Sequence, residues 1–315
     1  MSNFTYLSVQ GVPILPGEET YDRVLWVSSV KGGDANDGRD RSKPLASLFG
    51  SSGAFAKVAD GASGYPDGTL IIVGKGHTEN VDAADVASEL STNKRVKVRG
   101  LGHGVDRPTL TWTVATSTFL MDTDSLWLDN LNLNLEPGSG TVTVAAPITI
   151  SGNGCALTRI KARAGTDANN KVTKAIVVTG DDCLFDDVFI YSATAAEATT
   201  FVELTGADRF RARKLRIVGA TSAVNVGSLR FLTTASTNIE IEDFFIANNK
   251  AASTTAVSGL ASCTGQARNG HLHVLANTAT ELTGAWATKA SVQFKDVVVT
   301  NDVGEVGASL LPLSA

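Results

Sequence analysis

The sequence predicts an all-β chain folded as a parallel β-solenoid, and three observations carry that prediction. A template of apolar–x–apolar–x–x–apolar–x–apolar recurs eight times after residue 95. The copies begin at Val96, Leu126, Cys155, Cys183, Phe210, Ile239, Ala267 and Val292, at offsets of 25 to 30 residues. A further short apolar run precedes most copies, as in Phe119-Leu120-Met121, Ile148-Thr149-Ile150 and Ile176-Val177-Val178. No unit of about 27 residues can bury its apolar face alone. Stacking each on the next at the ~4.8 Å strand spacing builds one continuous core.

The elements follow in chain order. Residues 1–23 lack periodicity and form an N-terminal arm. Residues 24–68 hold a strand and the clearest helical segment, Pro44 to Asp60, with Ser42 as candidate N-cap and Gly50 and Gly53 as weak points. Residues 69–300 form the solenoid, about 8–9 coils of ~27 residues, and residues 301–315 a C-terminal tail. The two-residue break in the template is a corner. Period-2 alternation resets there, so both flanking strands point apolar groups inward. The first copy runs Val96, Val98, Leu101, His103, which makes His103 a core or corner histidine. The weakest copy runs Ala267, Asn269, Leu272, Val274.

The corner position before the third apolar residue reads Asn130, Arg159, Asp187, Lys214, Asp243, His271, Asp296. Neighbouring rungs alternate in sign. This predicts a register ladder of Arg159, Asp187, Lys214 and Asp243, each pair worth about 0–1 kcal/mol. A second column contains Arg211, Glu240 and Arg268, which also alternate.

Composition removes several function classes. Charged residues make up 19% of the chain and the net charge is −5, against the basic balance of nucleic-acid binders. No run approaches the ~18 apolar residues of a membrane span. Residues 1–6 show no basic segment followed by an apolar one, so no secretory signal is expected. Three cysteines are not a disulfide framework. Cys155 and Cys183 fall in equivalent slots one rung apart and are expected to be small core hydrophobes in a chain synthesised in a reducing cytoplasm.

Residues 24–81 carry a distinctive order. Val24-Leu25-Trp26-Val27-Ser28 is a strand and Gly32-Gly33-Asp34-Ala35-Asn36-Asp37-Gly38 a turn. Lys43-Pro44-Leu45-Ala46-Ser47-Leu48 opens the helix. Pro66-Asp67-Gly68-Thr69-Leu70-Ile71-Ile72-Val73 then leads into Gly76-His77-Thr78-Glu79-Asn80-Val81. This order resembles the N-terminal cap of right-handed parallel β-helix proteins, especially those of bacteriophage virions. The resemblance implies a right-handed β-helix with an N-terminal capping helix and extended terminal arms. It implies a virion role as capsid decoration (cement) protein or as tailspike.

Catalytic candidates are acidic residues on nearby rungs, since glycosidases use two carboxylates about 5–9.5 Å apart. They are Asp181, Asp182, Asp186 and Asp187 on one rung, and Glu240, Glu242 and Asp243 two rungs later, with Arg211, Arg213 and Lys214 between. If the chain is an enzyme, Asp186, Asp187 and Arg213 are the catalytic set. The alternating ladder explains them without chemistry, so no catalytic residue is expected. His271 and His273 flank Leu272 and point outward together, with no obvious third metal ligand. Asp34, Asn36 and Asp37 evoke a calcium loop without its full pattern, so a hydrogen-bonded turn is expected. Trp112, Trp127 and Trp286 are too scattered for a sugar-stacking strip. No cofactor and no metal is expected.

The preferred expectation is a non-enzymatic virion protein on the capsid surface, a homotrimer bridging capsomers. Its partners are copies of itself and the major capsid protein or other virion proteins, with neither nucleic acid nor membrane. Phe4, Tyr6, Leu310 and Leu311 in the terminal arms are the expected capsid contacts. The alternative is a tailspike-type receptor-binding protein or polysaccharide depolymerase, the only case with a glycan partner.

Overall fold

The computed structural model describes residues 8–9, 12–13, 21, 23–59, 68–82, 90, 95–135, 142–164, 170–192, 198–219, 228–231, 234–249, 255–259, 262–274, 286–287, 291–301 and 304–309. Phe4, Tyr6, Leu310 and Leu311, expected as capsid contacts, lie outside the described residues.

The chain is a parallel β-solenoid with three faces. Face one begins with Arg23–Val27, Thr69–Val73, Val96–Gly100 and Leu126–Asp129. It continues through Ala156–Thr158, Leu184–Asp186 and Arg211–Arg213 to the first halves of Ile239–Asn248, Thr264–Val274 and Ser291–Asn301. Face two stacks Thr78–Val81, Thr109–Trp112, Asn132–Asn134, Lys161–Arg163, Phe189–Tyr191 and Arg216–Val218. The second halves of the three long strands extend it. Face three runs from Phe119–Met121 through Ile148–Ile150, Asn170–Val178, Ala198–Leu204, Leu229–Phe231 and Val257–Ser258 to Trp286–Ala287. The six steps between those seven strands are six complete turns, fewer than the eight to nine expected. Faces one and two add rungs at both ends where the described residues form no third face.

The template slots point inward. The third position of the repeat stacks Leu128, Leu157, Phe185, Ala212, Ile241, Ala267 and Phe294, all almost fully buried. From Phe185 onward large and small residues alternate in this column, so the Phe185 ring has room beside Ala212 and meets the Phe210 ring edge-on at 5.0 Å. Fully burying such side chains stabilises by about 1.5–3 kcal/mol each.

The corners are left-handed. Asn130, Arg159, Asp187, Lys214, Asp243, Asn269 and Asp296 all have φ between 52° and 59°. A second left-handed column precedes face one: Ser125, Asp182, Arg209 and Asn238. One residue with positive φ turns the strand direction without interrupting the stacking; the Asp187, Lys214, Asp243 and Asp296 side chains are exposed, whereas the Asn130 amide donates to Gly100 O and Gly102 O.

Two register readings are corrected. The weak copy is Gly265, Ala267, Gly270, Leu272, because Ile241 pairs with Ala267 and Phe244 with Gly270. Asn269, not His271, is the corner. His103 is not a core histidine. The face-two strand of its rung starts at Thr109, and residues 101–108 loop out with a short 3-10 turn at Gly104–Asp106, leaving His103 exposed.

The cap helix is also shorter than expected, Ala54–Ala59. Leu45 is held as a strand bridge, its N–H donating to Trp26 O and its carbonyl accepting from Ser28 N–H, 2.8 Å each. That geometry excludes a helical start at Pro44. Ser42 caps nothing, since its hydroxyl donates to Asp40. The Asp34–Asp37 segment is a hydrogen-bonded turn in which Asn36 Nδ2 donates to Pro44 O at 2.7 Å. Glu79 fastens the cap to the solenoid, accepting from the Leu48 and Phe49 N–H groups at 2.8 and 2.9 Å. At the other end, Gly304–Ser309, assigned from sequence to the C-terminal tail, pairs antiparallel with the last rung.

Candidate functional site

Two outer surfaces carry the chemistry. The first is a groove of about 470 Å³ on face one, floored by Ala156 and Leu184 with Trp127 at one end. Its charges come from residues one position either side of the inward slots, on strands that stack in register. Asp182, Glu240 and Glu242 stand among Arg209, Arg211, Arg213 and Arg268.

Every carboxylate in this groove is taken. Arg209 Nε meets Asp182 at 2.7 Å, Arg211 Nε meets Glu240 at 3.4 Å, and Arg268 Nε meets Glu242 at 3.2 Å. The hydrogen bonds from Arg209 hold the Asp182 carboxyl below the usual range, and Asp182 in turn holds the Arg209 guanidinium up. A general acid needs the opposite, a carboxyl raised by burial. The arrangement binds charge to charge across the groove.

Asp186 and Arg213, predicted together, meet at 3.2 Å. Asp187 does not join them. It occupies the left-handed corner with φ 57°, its N–H donates to Arg213 O, and its side chain is exposed outside the groove. Of the two predicted columns, Arg211 and Glu240 of the second pair as read, but Arg268 stands in register with Arg213 and Glu242 rather than with Glu240, and among the described residues the corners Arg159, Asp187, Lys214 and Asp243 form no ladder with one another. Arg159 turns back to Asp129, Nε to Oδ1 at 2.8 Å, and Arg99 reaches the same carboxylate at 3.0 Å. Burial pushes the Asp129 carboxyl up, but the hydrogen bonds and charge of Arg159, with Thr158 and Arg99, outweigh it and the group titrates below its usual range. Lys214 and Asp243 make no ion pair among the described residues; both are exposed corners.

The second surface is the outside of face two. One column reads Asn132, Lys161, Phe189, Arg216, Phe245, His271. Its neighbour reads Asn134, Arg163, Tyr191, Val218, Ala247, His273. The Phe189 and Tyr191 rings stack at 5.0 Å and 18°. Lys161 Nζ sits 5.2 Å from the Tyr191 ring centre, and Arg216 Cζ sits 4.9 and 5.7 Å from those of Phe189 and Phe245. His271 and His273 both reach the Thr300 hydroxyl, at 2.6 and 3.0 Å. A groove of about 510 Å³ adjoins this strip, lined by Arg107, Lys161, Arg163 and Tyr191 with the Asn132 and Asn134 amides. No outward position of face two from Thr109 to Thr300 carries a carboxylate.

Sequence reading did not find this strip because it looked for tryptophans. Trp112 is a core residue whose Nε1 donates to Pro147 O at 2.9 Å, and Trp127 lies on face one. The signal was available at the seventh position of each repeat, read down the column. The remaining candidates are structural. His77, fully buried, accepts the Ser29 N–H on Nδ1 at 2.8 Å and bonds Glu79 through Nε2 at 2.9 Å. The Cys155 and Cys183 thiols are free and buried, and burial pushes them up to about 11 and about 12. Among the described residues no three His, Cys, Asp or Glu side chains converge on a metal position.

No family model matches the chain, and no curated protein matches it. Solved structures match at low identity. sacteLam55A from Streptomyces sp. SirexAA-E shares 13% identity over 83% of this chain and 51% of its own, with a TM-score of 0.45. The GH136 lacto-N-biosidase from Eubacterium ramulus shares 13% over 89% and 51%, at 0.40. The tailspike protein gp49 of Acinetobacter baumannii bacteriophage Fri1, a capsular polysaccharide depolymerase, shares 9% over 93% and 65%, at 0.33. The chain spans about half the length of the first two. The likeness is one of fold.

Proposed function

We propose that this chain is a non-catalytic surface protein of a bacteriophage particle, a rigid β-solenoid that decorates the capsid. The observation that carries the non-catalytic part is the pairing of Asp182, Glu240 and Glu242 with Arg209, Arg211 and Arg268 across the face-one groove. Supporting the particle assignment is the cap order from Val24 to Val81, with its Gly32–Gly38 turn and its Gly76–Val81 segment. A protein of this kind works by contact area and by repeated, multivalent attachment. The test is a particle preparation with and without the chain. Lower thermal and osmotic stability without it, and density on the head shell, support the reading. Unchanged stability, or density on the tail, overturns it.

The second reading, a tailspike-type depolymerase, is favoured by Trp127 lying in the same groove as three carboxylates. It predicts release of reducing ends from bacterial surface polysaccharide by the purified chain, lost in Glu240→Gln. No release by the native chain sinks it.

A further inference from the structure

We propose that the outside of face two is a binding site for an acidic polysaccharide, a chain carrying uronate carboxylates. It is carried by geometry separate from the groove on face one.

The charge is one-sided. The protein has a net charge of −5, yet the outward strand positions of face two carry Lys161, Arg163 and Arg216 and no carboxylate; Arg107 stands at one margin and the exposed corner carboxylates of Asp187, Asp243 and Asp296 at the other. On face one, by contrast, acids and arginines are matched rung by rung. Among the described residues no carboxylate reaches Lys161 or Arg216. Their neighbours are aromatic rings, at 4.9 to 5.7 Å. A cation over a ring keeps its full charge and its outward N–H groups.

The rings sharpen the preference. Phe189 and Tyr191 are stacked on each other, so their faces are turned inward to the pair and to the cations. The cationic heads of Lys161 and Arg216 favour anions. With one face of each ring taken by the other, the pair does not offer two open faces on which nucleobases stack. The Asn132 and Asn134 amides beside Arg107 supply donors and acceptors suited to sugar hydroxyls. From Lys161 to His271 the strip crosses four rung steps, about 19 Å, which suits an oligosaccharide rather than a single sugar.

The test measures binding of the full chain to polygalacturonate at low ionic strength, with dextran and oligo-dT as comparison probes. The expected result is binding to polygalacturonate that weakens with added salt and no binding to dextran. The double variant Lys161→Gln/Arg216→Gln is expected to weaken it at least about tenfold, with an unchanged thermal midpoint, while Lys161→Arg retains it. Absence of polygalacturonate binding overturns the proposal, as does unaltered binding by the double variant. Equal binding of dextran reassigns the strip to neutral sugars, and equal or tighter binding of oligo-dT to nucleic acid; either result overturns it too. None of these outcomes depends on where the chain sits in a particle, so the proposal stands or falls separately from the proposed function.

Discussion

The Phe244 ring occupies the space that Gly270 leaves open on the next rung: a Cβ built on Gly270 would lie 2.0 Å from Phe244 Cζ. The two are register partners, and Phe244 is 3% exposed. Gly270→Ala is therefore overpacked and is expected to cost about 1–3 kcal/mol. Adding Phe244→Leu shortens the obstructing side chain. Chemical denaturation of the two single variants and the double should show a double-variant cost below the sum of the singles. Additive costs would mean that the two residues do not share one space.

Glu79 is expected to be the largest single stabiliser of the cap. Its carboxylate accepts the Leu48 and Phe49 N–H groups and bonds His77, whose Nδ1 is already committed to the Ser29 N–H. Glu79→Ala strands two backbone donors, at about 1–3 kcal/mol each. Hydrogen exchange reads this directly. The Leu48 and Phe49 amides should exchange much faster in the variant, while amides of Ile148–Ile150 on face three keep their native protection.

Lys214 tests whether the corners matter for charge or for conformation. Its φ is 52°, and among the described residues it has no ion partner. Lys214→Asn removes the charge but suits the left-handed backbone, so thermal unfolding should show no loss or a gain below about 1 kcal/mol. Lys214→Val keeps the position uncharged and should cost about 1–2 kcal/mol. A large loss in the Asn variant would restore a charge ladder as the source of register.

Acid should destabilise the fold through Asp129. Its carboxylate titrates lower in the folded chain than the ~3.9 of an unfolded aspartate, so it favours the native state when ionised. That contribution is complete above the unfolded value and disappears as pH falls through the lower, folded one. Asp182 and Asp208 are lowered too, the first chiefly by Arg209 and the second chiefly by Thr237. Stability measured from pH 6 downward should therefore hold to about pH 4–5 and then fall. Asp129→Asn should flatten part of that slope and cost about 3 kcal/mol at neutral pH, because Arg99 and Arg159 lose their shared partner.

How much of this was legible depends on where the information sits. The inward slots from Leu126 to Phe294 were legible because alternation within one strand reports its own burial. The copy at Gly265 and Gly270 was not, since its register is written in the neighbour's Phe244. His103 misled because residues 101–108 loop out between two strands that otherwise keep the spacing. Pro44 and Leu45 carry helix-start signals, but Leu45 is recruited into pairing with Trp26 and Ser28. The face-two strip draws two residues from each rung, and it takes several rungs about 27 residues apart to assemble, so no local window contains it. The pairing of Asp186 with Arg213 follows from strand register, whereas the departure of Asp187 follows from one backbone torsion that composition does not report.

A solenoid is a template that copies itself: every rung offers the next an edge with the same spacing and direction. Nothing in the repeat states how many rungs to make. The strand at Gly304–Ser309 runs backwards along the Val297–Asn301 half of the last rung. A parallel edge calls for another parallel strand, from this chain or from a neighbour, and the reversed strand takes up its hydrogen bonds without offering the same pattern onward. Along the second face, the Val297–Asn301 edge is therefore no longer open to a parallel strand from a neighbouring chain.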